Sequence, residues 1–263
     1  MNHIKRERCV VVMTGKLHSI ETMGLVDGPG IRTVFFLQGC PLRCLYCHNP
    51  DSQSFKGEKT ITTEEVVALA SRYKSYYKAS GGGVTFSGGE PLMQGEFVLE
   101  AFKALKAEGI TTCVDTSGYG QMAYYQAIFQ VTDHILLDIK HPREEMHKEI
   151  TGLDMSGIRN FIQEVSKGFD GTVTIRHVMV PGYSDSSEII EEILDIIEPI
   201  QKKVDKIDIL PYHKAGTEKY SQLNIPYQLE TVPAMNQDRA NIFEKEINEK
   251  LNVRKKKTLS RIA

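Results

Sequence analysis

Three cysteines fall within eight residues, in the stretch Gly39-Cys40-Pro41-Leu42-Arg43-Cys44-Leu45-Tyr46-Cys47. Thiolates are soft ligands that suit zinc, copper(I) and iron–sulfur clusters. A Cys-x3-Cys-x2-Cys spacing brings three of them to one short loop, and two chemistries are open to it. A structural zinc needs four protein ligands. The fourth would be His48, awkward because it directly follows Cys47, or Cys113, which falls inside a predicted strand. A 4Fe–4S cluster ordinarily takes four cysteines; three leave one iron open, and an open metal position marks a catalytic site. The remaining cysteine, Cys9, makes the total five. An odd count with three members packed together is a poor disulfide framework and points to metal or redox chemistry in a reducing compartment.

Other residues with chemical potential recur at the ends of β-rich runs. Ser87-Gly88-Gly89-Glu90-Pro91 offers two glycines that let backbone approach a ligand closely, and in Glu90 an acceptor for a charged amino group. Asp115-Thr116-Ser117-Gly118, Asp138-Ile139-Lys140, Arg176 and Pro211-Tyr212-His213 follow in the same manner. Each has a plain structural explanation, since an Asp before a helix caps it and a lone Arg or His is often a satisfied scaffold residue. Gathered at one mouth, they would supply acceptors for amino and ribose groups and donors for a carboxylate, the mixture that a zwitterionic ligand needs.

Six apolar, β-branched runs would carry those residues: Thr33–Gln38, Gly83–Phe86, Thr111–Asp115, His134–Asp138, Thr172–Val180 and Lys206–Leu210. Lys16–Glu21 adds a short leading strand. Helical patterns lie between them. Thr62 with Glu65 forms a capping box. Phe97, Ala101, Phe102 and Leu105 make a stripe that Gly109 ends, and Ile189, Ile190, Ile193, Ile196 and Ile197 make another. Strands alternating with helices imply parallel βα units with right-handed crossovers. No GxGxxG follows the first strong strand, so the α/β fold expected is a partial, TIM-like (β/α)6 barrel rather than a Rossmann sheet. In a barrel the chemistry sits at the carboxyl ends of the strands. The domain reading is an extension over residues 1–14, the barrel over 15–252, and a solvated basic tail over 253–263. Lys plus Arg total 32 against 34 Asp plus Glu, so no basic footprint for nucleic acid is present. No apolar run approaches the roughly 20 residues of a membrane helix. The reading is of a cytoplasmic protein.

The Cys-x3-Cys-x2-Cys motif with an aromatic before its last cysteine resembles that of the radical S-adenosylmethionine superfamily, and Gly88-Gly89-Glu90 resembles the superfamily's GGE motif. From about Gly15 to Leu251 the chain is similar to the glycyl-radical-activating family. The likeness runs through VDGPGIRTVFFLQGCPLRCLYCHNPDS, ASGGGVTFSGGEPLMQ, CVDTSGY, LLDIK, IRHVMVPGYSD and ILPYHKAGTEKY. Asn49 to Thr112 contains no cysteine, so the ferredoxin-like insert of several such activators is missing, which favours the branch acting on pyruvate formate-lyase. The resemblance implies a 4Fe–4S cluster on Cys40, Cys44 and Cys47. It implies S-adenosylmethionine beside Tyr46, Gly88, Gly89, Glu90, Asp115, Asp138, Lys140, Arg176 and His213, with the GGE motif holding the methionine amino group. A monovalent cation near Asp115, Thr116 and Asp138, and a contact from Asp27 to the partner's glycine loop, are implied as well. The implied reaction uses an electron from flavodoxin or a similar donor to cleave the sulfonium, and the resulting 5′-deoxyadenosyl radical takes a glycine Cα hydrogen from pyruvate formate-lyase. The chain is expected to act as a monomer. The alternatives are an activator of a different glycyl-radical enzyme and a zinc-binding protein without catalysis.

Overall fold

The computed structural model describes residues 12–260, so Cys9 and most of the expected N-terminal extension lie outside the described residues. Eight strands form one sheet: β1 (Thr14–Gly24), β2 (Arg32–Leu37), β3 (Thr60–Thr62), β4 (Gly83–Gly88), β5 (Thr111–Thr116), β6 (His134–Asp138), β7 (Thr172–Met179) and β8 (Val204–Pro211). Their order is β3-β1-β2-β4-β5-β6-β7-β8. From β2 onward every pairing is parallel, while β1 runs antiparallel to both β2 and β3. The six parallel strands are those expected from the apolar runs, and the sheet curls into a partial barrel that does not close. Two features differ from the sequence reading. The leading strand spans eleven residues rather than a short stretch, and Thr14 already belongs to it. The three-residue β3 at the edge was not expected.

Among the described residues nine α-helices accompany the strands: α1 (Thr63–Ser71), α2 (Lys74–Ser80), α3 (Gly95–Ala107), α4 (Tyr125–Phe129), α5 (Glu144–Thr151), α6 (Ser156–Gly168), α7 (Glu188–Ile196), α8 (Thr217–Gln222) and α9 (Gln237–Ser260). Local chemistry explains several boundaries. The capping box forms as expected at α1: the Thr62 hydroxyl accepts from the Glu65 N–H, and Glu65 Oε2 accepts from the Thr62 N–H at 2.8 Å. Beyond α3 the chain turns at Gly109, where φ is +70°, a conformation that glycine adopts without a Cβ penalty. The helical face of the sheet is aromatic. Phe86 of β4 packs on Phe97 and Phe102 of α3, with centroids 5.6 and 5.1 Å apart.

The opposite face, which lines the barrel, is polar to an unusual degree. Thr85, Cys113, His134 and Thr174 lie two or four residues before the expected site residues on their strands, and so share their face. Arg32 enters here. It is 1% exposed, and its guanidinium donates to Thr85 Oγ1 and to the carbonyls of Pro29, Val84 and Thr111. Burial of so polar a group is tolerable because its donors are met.

The free edge of β8 is closed by α9. Asn248 accepts from the Ile207 N–H at 2.9 Å and donates to the Ile207 carbonyl at 2.7 Å, and Glu244 accepts from the Ile209 N–H at 2.8 Å. Two side chains one helical turn apart thus take the place of a neighbouring strand. Ala240, Phe243, Ile247 and Leu251 bury the inner stripe of this helix. As far as residue 260 the segment expected as a solvated tail continues α9, and Arg254 pairs with Glu191 and Asp195 of α7.

Candidate active site

The parallel register brings the carboxyl ends of β2 and β4–β8 to one rim, and a cavity of about 570 Å³ opens there. The loop after β2 carries the three cysteines along its wall. Its backbone is fixed from several sides. The Cys40 N–H bonds the Gln53 carbonyl, and the N–H groups of Arg43 and Leu45 bond the Thr151 and Ile150 carbonyls at the end of α5, at 2.7 and 2.9 Å. The Arg43 guanidinium folds back to donate to the Cys40 and Leu42 carbonyls, both at 2.7 Å. With the backbone satisfied in this way, the thiols of Cys40, Cys44 and Cys47 are free, half-buried and turned to the cavity. Burial pushes the Cys40 thiol upward and that of Cys44 up to about 12.

Neither additional zinc ligand considered from the sequence is available. Cys113 is fully buried and does not line the cavity. The His48 ring is engaged elsewhere: Nε2 donates to the His213 carbonyl at 3.1 Å, and the two rings lie 4.3 Å apart. Among the described residues no three His, Cys, Asp or Glu side chains converge on a position for a single ion. Three free thiols spread along one loop suit a multi-iron cluster better than a mononuclear site.

The rest of the wall carries charge. Asp115 accepts from the Ser87 hydroxyl at 2.7 Å and from Arg176 Nη1 at 3.2 Å, both through Oδ2. Its Oδ1 is buried without a partner among the described residues, as is the Tyr46 hydroxyl. Asp138 pairs with Lys140 at 2.7 Å, and the Lys140 ammonium sits 6.0 Å from the centre of the Tyr46 ring. Burial raises Asp115 above the usual carboxylate range despite Arg176. Burial acts the same way on Asp138, but Lys140 and Arg176 outweigh it and hold that carboxyl low. Asp27, on the turn between β1 and β2, reaches the same cavity; burial and the nearby Asp115 push it up to about 6. Asp27, Cys40, Cys44, Tyr46, Cys47, Gly88, Gly89, Asp115, Thr116, Asp138, Lys140, Arg176 and His213 therefore meet around one space.

Glu90 is the exception, and the role expected for it needs correcting. It is 1% exposed and stands behind the cavity wall rather than on it. Its four acceptor positions are occupied by the Leu92 N–H, the Thr116 hydroxyl, and the Ser117 N–H and hydroxyl. No lone pair is left for a ligand's amino group. Glu90 instead ties the loop after β4 to the loop after β5. Packing alone already requires glycine at positions 88 and 89, which line the cavity. A Cβ on Gly88 would sit 2.5 Å from the Leu37 nitrogen, and one on Gly89 would sit 2.4 Å from the Gly39 carbonyl oxygen.

Sequence reasoning named Ser87 and Ser117 only within their motifs and His48 only as an alternative zinc ligand, and it did not single out Gln237; all four line the cavity. Ser87 was within reach, since it sits two residues beyond Thr85 on the inward face of β4. Gln237 had no signal, because its position depends on how α9 packs.

Comparison with known proteins agrees with this geometry. Residues 34–197 match the family model described as the radical SAM superfamily. The chain is 47% identical over 240 residues to the pyruvate formate-lyase-activating enzyme of Clostridium pasteurianum, covering 91% of this chain and all of that one. Its identity with the enzyme of the same name from Staphylococcus epidermidis is 45% over 228 residues, covering 84% and 90%. Among solved structures, a domain of pyruvate-formate lyase-activating enzyme from Bacteroides vulgatus superposes with a TM-score of 0.53 at 22% identity, covering 65% of this chain and 96% of that one. A radical SAM methyltransferase from Sphaerobacter thermophilus gives 0.55 at 16%, covering 85% and 64%. At such identities the structural likeness speaks for the fold alone.

Proposed function

We propose a reaction for a chain that belongs to the radical SAM superfamily and, within it, to the pyruvate formate-lyase-activating enzymes: it generates a glycyl radical on pyruvate formate-lyase. The observation that carries this is the juxtaposition of three free thiols with a cavity walled by Asp115, Asp138, Lys140 and Arg176. Cys40, Cys44 and Cys47 would hold a 4Fe–4S cluster, with one iron left for the amino and carboxylate groups of S-adenosylmethionine. When bound, the cluster supplies one electron to the sulfonium, and the cofactor's C5′ becomes the acceptor of the glycine hydrogen.

The protein's part is orientation and exclusion of water. Asp27, Asp115 and Asp138 oppose Lys140 and Arg176, so the wall carries one more negative than positive charge. S-adenosylmethionine, with a sulfonium, an ammonium and a carboxylate, carries one net positive charge, the sign that such a wall attracts. Asp115, which lines the cavity, has in Oδ1 a buried acceptor without a partner among the described residues, and the Tyr46 ring and the His213 side chain would flank the adenosine. Lys140 and Arg176 would donate to its carboxylate and hydroxyls. Glu90 would act only by fixing Thr116 and Ser117.

Three finer points belong to the same reading. A monovalent cation beside Asp115 and Asp138 is supported by the free Oδ1. Thr116 is the third residue of that proposal; its hydroxyl donates to Glu90 and accepts from the Gly118 N–H. The electron must come from outside the chain, and flavodoxin or a similar one-electron donor would meet that need. We read residues 15–252 as the catalytic domain of a cytoplasmic monomer. Unpaired thiols at Cys40, Cys44, Cys47 and Cys113 support the reducing compartment.

Anaerobic incubation of the chain with reductant, S-adenosylmethionine and pyruvate formate-lyase tests the reading. A glycine-centred signal should appear in the paramagnetic resonance spectrum of the partner. Cofactor cleavage without that signal, and with the signal on another glycyl-radical enzyme, would transfer the chain to the other activator reading.

A further inference from the structure

The cavity wall formed by His213 comes from a stretch with little structure of its own. His213, Lys214 and Ala215 are exposed, and α8 that follows has only six residues. A helix so short does not persist without outside contacts. One set is apolar: Tyr220 is buried and meets the Tyr227 ring edge-on at 4.9 Å. The charged set converges on one carboxylate. Lys219 on α8 donates to Asn49 Oδ1 at 2.8 Å and pairs with Asp51 Oδ1 at 3.1 Å. The other oxygen of Asp51 lies 2.8 Å from His18 Nε2 on β1. Three stretches far apart in sequence, namely β1, the segment just after the cysteine loop, and α8, thus meet at Asp51.

From this node the coupling to the cavity is short and contiguous. Gly216 packs so closely on His48 that a Cβ there would lie 2.7 Å from the His48 Cα. His48 donates to the His213 carbonyl and stacks on the His213 ring. His48, Asn49 and His213 all line the cavity, whereas Lys219 and Asp51 do not.

We propose that Lys219 is a positioning residue that, through Asn49 and Asp51, latches α8 onto the cysteine loop and holds the His213 wall across the cavity, so that release of this latch sets the rate at which S-adenosylmethionine leaves. The inference rests on the reading that this cavity holds the cofactor. The side chains of Lys219 and Asp51 are 35% and 34% exposed, and an isolated pair of that kind stabilises little. Here it biases a local opening of one short segment rather than global unfolding. A modest change in that bias reads directly as a change in the closed population.

The test uses the full-length chain with its cluster reconstituted anaerobically, comparing K219M, K219R and D51N with the parent. Cofactor dissociation followed with labelled S-adenosylmethionine should be about five-fold faster in K219M and D51N. K219R should stay within about two-fold of the parent, since it keeps the charge. Iron content and the thermal midpoint should not move. Amide hydrogen exchange over residues 214–222 should quicken in K219M even without cofactor. The double variant K219M/D51N should be little worse than either single change, because both break the same node. An unchanged dissociation rate with unchanged exchange overturns the latch. Loss of iron or of thermal stability in K219M also overturns it, by making Lys219 a general structural residue. If the parent itself fails to bind S-adenosylmethionine while exchange responds as expected, the cofactor reading fails and the latch stands as a purely mechanical feature.

Discussion

At the scale of single residues, the arrangement separates groups that would touch a ligand from groups that hold those in place. Cys44→Ala should abolish iron binding and cofactor cleavage, because it removes one of the three thiols that line the cavity among the described residues. Cys113→Ala should keep about four irons per chain, the content of one such cluster, since its thiol is buried away from the cavity. Iron analysis of the two variants checks this, and full iron in Cys44→Ala would refute the cluster assignment. Asp115→Ala and Arg176→Ala should each weaken cofactor binding by about 10- to 150-fold, the range for a lost charge-assisted hydrogen bond, with iron content kept. Glu90 belongs to the supporting group, and its signature is a pH dependence. Burial pushes its carboxyl from 4.5 up to about 7. Between those values the folded state binds a proton that the unfolded state lacks, with the Thr116 or Ser117 hydroxyl turning from donor to acceptor to receive it, so this contribution to stability is complete below pH 4.5 and fades as pH rises through 7. Glu90→Gln should remove that slope. It should also lower stability by about 1–3 kcal/mol, because an amide N–H₂ must face donors that now meet an oxygen. Urea unfolding of parent and variant at pH 5 and pH 8 checks both effects, and parallel slopes would show that Glu90 does not titrate in this range. The three cysteines, Asp115, Lys140 and Arg176 were readable from the sequence because their types are rare at strand ends and their motifs are local. The supporting role of Glu90 was not, because it depends on four donors, three of them at the carboxyl end of the next strand and just beyond it, that only the folded register brings together.

At the scale of elements, β2 and β4–β8 could be read from sequence because each is a short apolar, β-branched run that the helices then cover. β1 was underestimated, since its residues are largely polar and half-exposed, and β3 is too short to give a pattern. The helix α9 escaped notice for a related reason. Its buried stripe of Ala240, Phe243, Ile247 and Leu251 is narrow and set among charged residues. Its function in the fold also rests on two polar side chains. Asn248→Leu should cost roughly 1–3 kcal/mol, because it leaves the Ile207 N–H and carbonyl without partners in a half-buried place. It should also favour association through the uncovered β8 edge. Denaturant unfolding together with light scattering checks the two consequences, and a variant with parent-like stability and size would mean that water replaces the amide at no cost. Thr62→Ala offers a smaller comparison at the opposite edge of the sheet. Loss of the cap at α1 should cost about 1 kcal/mol and leave the size of the particle unchanged.

At the scale of the molecule, the unclosed sheet and the size of the cavity together restrict what can react. About 570 Å³ lies within the range of roughly 300–1,000 Å³ in which small ligands bind, so a folded partner cannot enter as a body. A glycine on that partner would therefore arrive on an extended loop, and the proposed reading puts it beside the cofactor and near Asp27. Glycine suits the task because nothing beyond its Cα hydrogens stands between the backbone and the reacting carbon. Where the target glycine is buried in pyruvate formate-lyase, that protein must first open locally, and the opening should limit the rate of activation. A short peptide spanning the glycine bypasses that step. It should bind without the rest of the partner, though more weakly because it is not preorganised. With an α-deuterated glycine in the peptide, deuterium should appear in the 5′-deoxyadenosine recovered after anaerobic turnover, as mass spectrometry would register. Deuterium that stays in the peptide while deoxyadenosine accumulates, together with no radical on intact pyruvate formate-lyase, would show that the cofactor is cleaved here but that the loop is presented by a different protein.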